Sequence, residues 1–145
     1  MPVLFLALLI AMTVQETVSE VGRSTYADSK TTKAHTLGTD LLVLRNALNV
    51  YLKANPGVEG LIPLAALGLP DWFTPTDQLY ALIDGSNGYV YYTPQDFKPV
   101  LTALLGANVP AYAGIARNGQ LQSPYFLPTI PLPEVIPDQS IVLIL

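Results

Sequence analysis

The chain has 145 residues, one domain's worth and enough to bury a core without cross-links. Half of it is hydrophobic and only 12% is charged, and its 11 acids and 7 bases leave a formal charge of −4. Sparse charge and abundant apolar residues exclude a disordered chain, and the acidic balance offers no electrostatic footprint for nucleic acid. With no cysteine and a single histidine, disulfides, thiolate metal sites, cysteine nucleophiles and a histidine-rich metal centre are all ruled out.

The first segment, Pro2 to Val14, carries no charge. As a helix it would span roughly 20 Å, against about 30 Å for a bilayer core. Val14, Val18 and Val21 continue one apolar stripe past Gln15 and Glu16. Residues 1–21 are therefore expected to form a transmembrane signal anchor. Two other readings stay open. One is a cleaved secretory signal, with Thr17-Val18-Ser19 as a small-x-small site before Glu20. The other is a buried helix of a soluble core. Arg23, Lys30 and Lys33 follow the segment and no base precedes it. Read literally, that pattern keeps the following domain in the cytoplasm.

Residues 22–145 read as a single domain. Thr39 suits an N-cap, and the helix expected from about residue 39 to 54 ends at Asn55-Pro56-Gly57. Leu37, Leu41, Leu44, Leu48 and Tyr51 recur at four, three, four and three, which gives one apolar face. Pro63 and Gly68 bracket a short helix. Trp72 and Phe73 follow in a loop, and the packing expectation for both is a lid over the helix core.

The second half reads as β, with a sheet between residues 88 and 145. Asp84-Gly85-Ser86-Asn87-Gly88 is a turn feeding a strand at Tyr89–Thr93. Residues 99–105 suit a short helix ended by Gly106. Asn118-Gly119 between two runs is the strongest short-range hairpin signal. Prolines at 124, 128, 131, 133 and 137 mark an extended, irregular crossing. Five aliphatic residues, Ile141 to Leu145, need cover on both faces and belong in the middle of a sheet. A docking peptide for a partner's sheet is the competing reading. The order of elements gives an α+β fold: a membrane-anchored N-terminal helix packed on a small antiparallel sheet, with a proline-rich connection.

No catalytic constellation emerges. His35 lies in a Thr-rich polar stretch and reads as an exposed helix-surface residue. There is no Gly-x-Ser-x-Gly elbow, and the glycine-rich turn at 84–88 has no lysine, so it is not a phosphate loop. Glycoside chemistry needs a pair of carboxylates that converge in space, and the spacing of the eleven acids selects no pair. Asp71, Asp77 and Asp84 are explained by turn chemistry. The tyrosines at 89, 91 and 92 straddle both strand faces. They read as sheet packing with exposed hydroxyl tips, and an exposed tyrosine stripe would also suit a protein partner. Tyr89, Tyr91, Trp72 and Phe73 are therefore the candidate partner surface. No catalytic, metal-binding or cofactor-binding residue is expected.

Several stretches together resemble the PilM family of thin, type IV conjugative pili. They are the uncharged N-terminal segment, the run from Leu44 to Gly57, and Ala66-Leu67-Gly68-Leu69-Pro70-Asp71-Trp72-Phe73. The likeness continues through Gly88-Tyr89-Val90-Tyr91-Tyr92-Thr93-Pro94, Gly114-Ile115-Ala116-Arg117-Asn118-Gly119 and the aliphatic terminus. This family is unrelated to the actin-like protein that shares its name in other pilus systems. The resemblance implies an inner-membrane component of the pilus basal body, without enzymatic activity and without cofactors. It assigns no functional residues. The implied partners are other pilus assembly proteins and the inner membrane, with a periplasmic domain and neither nucleic acid nor a small-molecule substrate. The alternative is a secreted minor pilus subunit, or a periplasmic binding module, with its signal peptide removed. A type IV prepilin is a poorer match. It would show a basic leader and an early mature glutamate, whereas here the apolar run starts at Pro2 and the first acid is Glu16.

Overall fold

The computed structural model describes residues 32–33, 35–93, 112–123 and 129–145. The chain divides into two compact units, Met1–Lys33 and Ala34–Leu145. Helix α1, residues 35–54, and the whole sheet belong to the second. The strands are β1 (Gly60–Ile62), β2 (Leu79–Asp84), β3 (Asn87–Tyr92), β4 (Ala113–Arg117), β5 (Gln120–Gln122), β6 (Ile130–Pro131) and β7 (Ile141–Ile144). Among the described residues they form a sheet of seven strands in the order β1-β2-β3-β7-β4-β5-β6. Every neighbouring pair is antiparallel.

The four-and-three spacing places Leu37, Leu41, Leu44 and Leu48 in the core, with Tyr51 half-buried beside them. Thr39 is not the N-cap that its residue type suggested. The helix already runs through residues 35–38, and the Thr39 hydroxyl donates to the His35 carbonyl at 3.0 Å. Threonine satisfies its hydroxyl equally well by this bond to the preceding turn. At the other end Asn55 closes the helix, its backbone N–H and side-chain Nδ2 both donating to the Tyr51 carbonyl. Pro56 cannot extend the ladder. A 3-10 helix follows at Leu64–Leu67 and ends at Gly68.

The sheet begins earlier than expected. β1 and β2 precede residue 88, and Asp84 is the last residue of β2 rather than part of a loop. The Asn118-Gly119 hairpin forms as its sequence requires. Both residues have positive φ, 51° and 70°, the geometry whose twist matches paired strands. The expected helix at 99–105 and the expected anchor at 1–21 lie outside the described residues. Among the described residues no helix is long and apolar enough to cross a membrane.

β7 lies at the centre, paired with β3 on one side and β4 on the other. Its side chains alternate between two apolar layers. Ile141 and Leu143 face α1 with Val90, Ala113 and the helix leucines. Val142 and Ile144 face the opposite layer with Tyr89, Tyr91, Leu121, Leu132 and Ile136. Leu145 continues the ladder, its N–H donating to the Gly88 carbonyl at 3.0 Å. A Cβ at Gly88 would meet the Leu145 side chain, which would have to turn aside. From α1, Arg45 Nε donates to the Ile144 carbonyl at 3.2 Å.

This arrangement makes the terminal strand part of the core and not a docking peptide. Each of its four strand side chains is buried, which stabilises by about 1.5–3 kcal/mol per side chain, against about 5–15 kcal/mol for a whole domain. A chain ending at Ser140 is expected to lose its cooperative thermal transition. Melting it beside the intact chain checks this. A retained transition near the original midpoint would show that the strand is dispensable.

Candidate functional site

The connection from β1 to β2 carries the most exposed aromatic residue described. Trp72 is 73% exposed. Phe73 packs edge-on against it, with ring centroids 6.1 Å apart and an interplanar angle of 87°. The two rings divide the work expected of both: Phe73 is half-buried on the α1 core, whereas Trp72 is no lid and points to solvent.

A buried carboxylate holds this loop. Asp40 projects from α1, and its Oδ2 accepts the Thr76 hydroxyl at 2.6 Å and the Thr76 N–H at 3.3 Å. The Phe73 N–H donates to the Pro70 carbonyl at 2.9 Å, closing the turn that contains Trp72. A large ring on a pinned loop presents contact area that needs little further ordering on binding.

Tyr89 and Tyr91 are placed differently. They share one sheet face, and Tyr92 lies on the other. Tyr89 and Tyr91 pack in the sheet as expected, with only 4% and 3% of each residue exposed. Tyr80, directly opposite Tyr91 on β2, stacks on it with centroids 5.2 Å apart. Leu132 and Ile136, from the proline-rich segment, join the same layer. Burial raises both hydroxyl pKa values above the usual tyrosine value. The Asp84 carboxylate adds to this at Tyr89, partly offset by a hydrogen bond from Asn87, and Tyr80 adds to it at Tyr91. The structure therefore does not unite the candidate residues: Trp72 and Phe73 sit together at the β1–β2 connection, while Tyr89 and Tyr91 are core. His35 is exposed on α1. Among the described residues no group of three or more metal-ligating side chains converges. Sequence reasoning missed Leu61 and Tyr80, which are 54% and 41% exposed and lie on the same sheet face, since Leu61 pairs with Leu82 two residues along from Tyr80.

The PilM family model matches residues 5–144. The chain belongs to the PilM family. The same conclusion follows from solved structures. A protein designated PilM from Escherichia coli B7A is 28% identical, with a TM-score of 0.60 over 79% of this chain and 92% of that one. A protein designated PilM from Pseudomonas aeruginosa 2192 is 31% identical, with a TM-score of 0.50 over 78% of this chain and 93% of that one. A comparison with curated proteins finds no match. Family membership implies involvement in pilus biogenesis.

The Asp40–Thr76 bonds generate a stability prediction for this PilM-family chain. Asp40→Ala removes the shared acceptor of two part-buried hydrogen bonds, while water can still reach the exposed Thr76, so it is expected to destabilise by about 1 kcal/mol. Asp40→Asn keeps one acceptor oxygen and should lose less. Urea unfolding of both variants checks the order. Equal stability of Asp40→Ala and the parent would show that the loop is not held by this carboxylate.

Proposed function

We propose that this chain is a non-enzymatic assembly component of a thin, type IV pilus machine. Residues 1–21 hold it at the bacterial inner membrane, and the folded domain, in the periplasm, binds other pilus assembly proteins. Membership of the PilM family over residues 5–144 supports the pilus role. The single observation that carries the binding role is Trp72, 73% exposed on a loop pinned by Asp40. Tryptophan is the residue most enriched among those that dominate binding energy at protein interfaces. The uncharged stretch from Pro2 to Val14 supports the membrane attachment.

Trp72→Ala is expected to leave the thermal midpoint nearly unchanged, because an exposed side chain contributes within about 0.5 kcal/mol to stability. A hot-spot loss of about 2 kcal/mol would weaken partner binding about thirtyfold. Complementing cells that lack this chain with the variant, and counting pili, checks it. Normal piliation would remove Trp72 from the binding surface.

Attachment through an apolar segment is not screened by ions. The chain should stay with membranes in high salt and leave them in detergent. Leu8→Arg should abolish retention, since a charge at mid-bilayer costs about 2.5–3.5 kcal/mol on insertion scales. Release by salt alone contradicts the anchor. An intact mass lacking residues 1–19 would instead select the secreted subunit.

A further inference from the structure

The two edges of the sheet are built differently. The β6 edge contains Pro131, with Pro133 just beyond it, so it offers few donors to another strand. The β1 edge contains no proline within Gly60–Ile62, although Pro63 follows it and leaves Leu61 as the outward donor of the strand. Which groups it leaves open follows from the ladder. Gly85-Ser86 is a two-residue turn, which makes Asp84 and Asn87 a hydrogen-bonded pair. Leu82 and Tyr80 then also direct their backbone groups to β3, because bonded pairs alternate along an antiparallel ladder. Ile83 and Ala81 direct theirs to β1, where they face Gly60 and Ile62. Leu61, between those two, is left with its N–H and C=O directed away from the sheet.

Charge is distributed as unevenly as the backbone groups. No lysine or arginine occurs between Lys53 and Lys98. In the described part of that stretch Glu59, Asp71, Asp77 and Asp84 are all exposed, and none forms an ion pair among the described residues. Extending the β1–β2 register by one step sets Glu59 opposite Asp84, and like charges facing each other across a ladder repel. Exposed apolar side chains share the sheet face on which that pair would meet: Leu61 on β1 and Tyr80 on β2.

We infer that the β1 edge is the docking site for an extended segment of a partner protein. That segment adds as a strand to β1 and sets Lys or Arg against Glu59 and Asp84. Main-chain bonds to Leu61 supply registration, and an apolar residue opposite Leu61 covers it, with Tyr80 diagonal to it. The acidic edge selects the occupant. A second copy of this chain would bring the same unpaired carboxylates to the same edge, which disfavours a β1–β1 dimer. This inference rests on the protein-binding role proposed above and names the chemistry of the partner.

The test uses the full chain in detergent and synthetic peptides centred on Lys-Thr-Val-Thr-Lys or Glu-Thr-Val-Thr-Glu. The valine and both flanking charges of each fall on one strand face. Binding is read from the fluorescence anisotropy of a dye carried on each peptide. The lysine peptide should gain anisotropy and slow hydrogen exchange of the Leu61 amide, and the glutamate peptide should do neither. Leu61→Pro removes the outward donor together with the exposed side chain and should abolish binding while the thermal transition is kept, and Leu61→Ala, which keeps the donor, should retain part of it. Glu59→Lys should weaken the lysine peptide about tenfold and admit the glutamate peptide. Equal binding of the two peptides, or no binding of the lysine peptide at millimolar concentration, overturns the inference. So does an unprotected Leu61 amide. In cells, a Leu61→Pro chain that restores piliation where Trp72→Ala fails would remove the β1 edge alone and leave the protein-binding role standing.

Discussion

The entry of β7 between β3 and β4 is the constraint on which the rest of the sheet depends. β1-β2-β3 and β4-β5-β6 are two antiparallel meanders joined side by side by no ladder other than those that β7 makes with each. β3 and β4 are both antiparallel to β7, hence parallel to each other and unable to close on one another through a hairpin. Until Ile141–Ile144 arrives, each meander presents an inner edge beside apolar faces, the arrangement most prone to wrong pairing. The strand that prevents this is the last in the sequence. The pairing of β7 with β3 closes a long stretch of chain, and that entropy must be met before the two meanders are joined.

α1 braces that junction from one side. Its leucines lie in one layer with side chains from β2, β3, β7 and β4, so the helix spans both meanders. Arg45 reaches the Ile144 carbonyl from the same helix, and Asp40 reaches Thr76. One element thus fixes the central strand and the loop that displays Trp72. A change that shifts α1 along the sheet would disturb both, and this physical route links core packing to the exposed aromatic. The Asp40 carboxylate could not be buried without compensation, and the hydroxyl and N–H of Thr76 provide it.

Much of this was legible from residue spacing, and the gaps have physical causes. The leucine face of α1, the Asn118-Gly119 hairpin and the central position of Ile141–Ile144 each follow from a local rule that tertiary contacts reinforce. β2 does not announce itself, because Leu79, Ala81, Leu82 and Ile83 are buried across both faces and break the apolar–polar alternation. β1 is three residues long, too short for any period to register. Tyr89 and Tyr91 alternate as a strand should. Their cover includes Leu132 and Ile136, in a proline-rich stretch whose pattern predicts no layer. Trp72 shows the converse: hydrophobicity argues for burial, yet Phe73 takes the core position and leaves its neighbour outside.

The remaining asymmetry concerns how a sheet with two edges avoids growing by itself. Proline protects the β6 side by removing donors, a device indifferent to the identity of the approaching strand. Carboxylates protect the β1 side, and charge discriminates. Another acidic edge is repelled, while a basic one is drawn in and loses that attraction as salt rises. A chain with only 12% charged residues has few charges with which to encode such a preference. Here the acids of the β1–β2 region lie in a stretch without a base between Lys53 and Lys98, and among the described residues none of them forms an ion pair. Under the docking role inferred above, the acidic edge permits a heterologous strand and opposes its own copy. The open backbone groups of Leu61 and the uncompensated Glu59 are thus two halves of one device, the first supplying generic strand affinity and the second restricting which strand can use it.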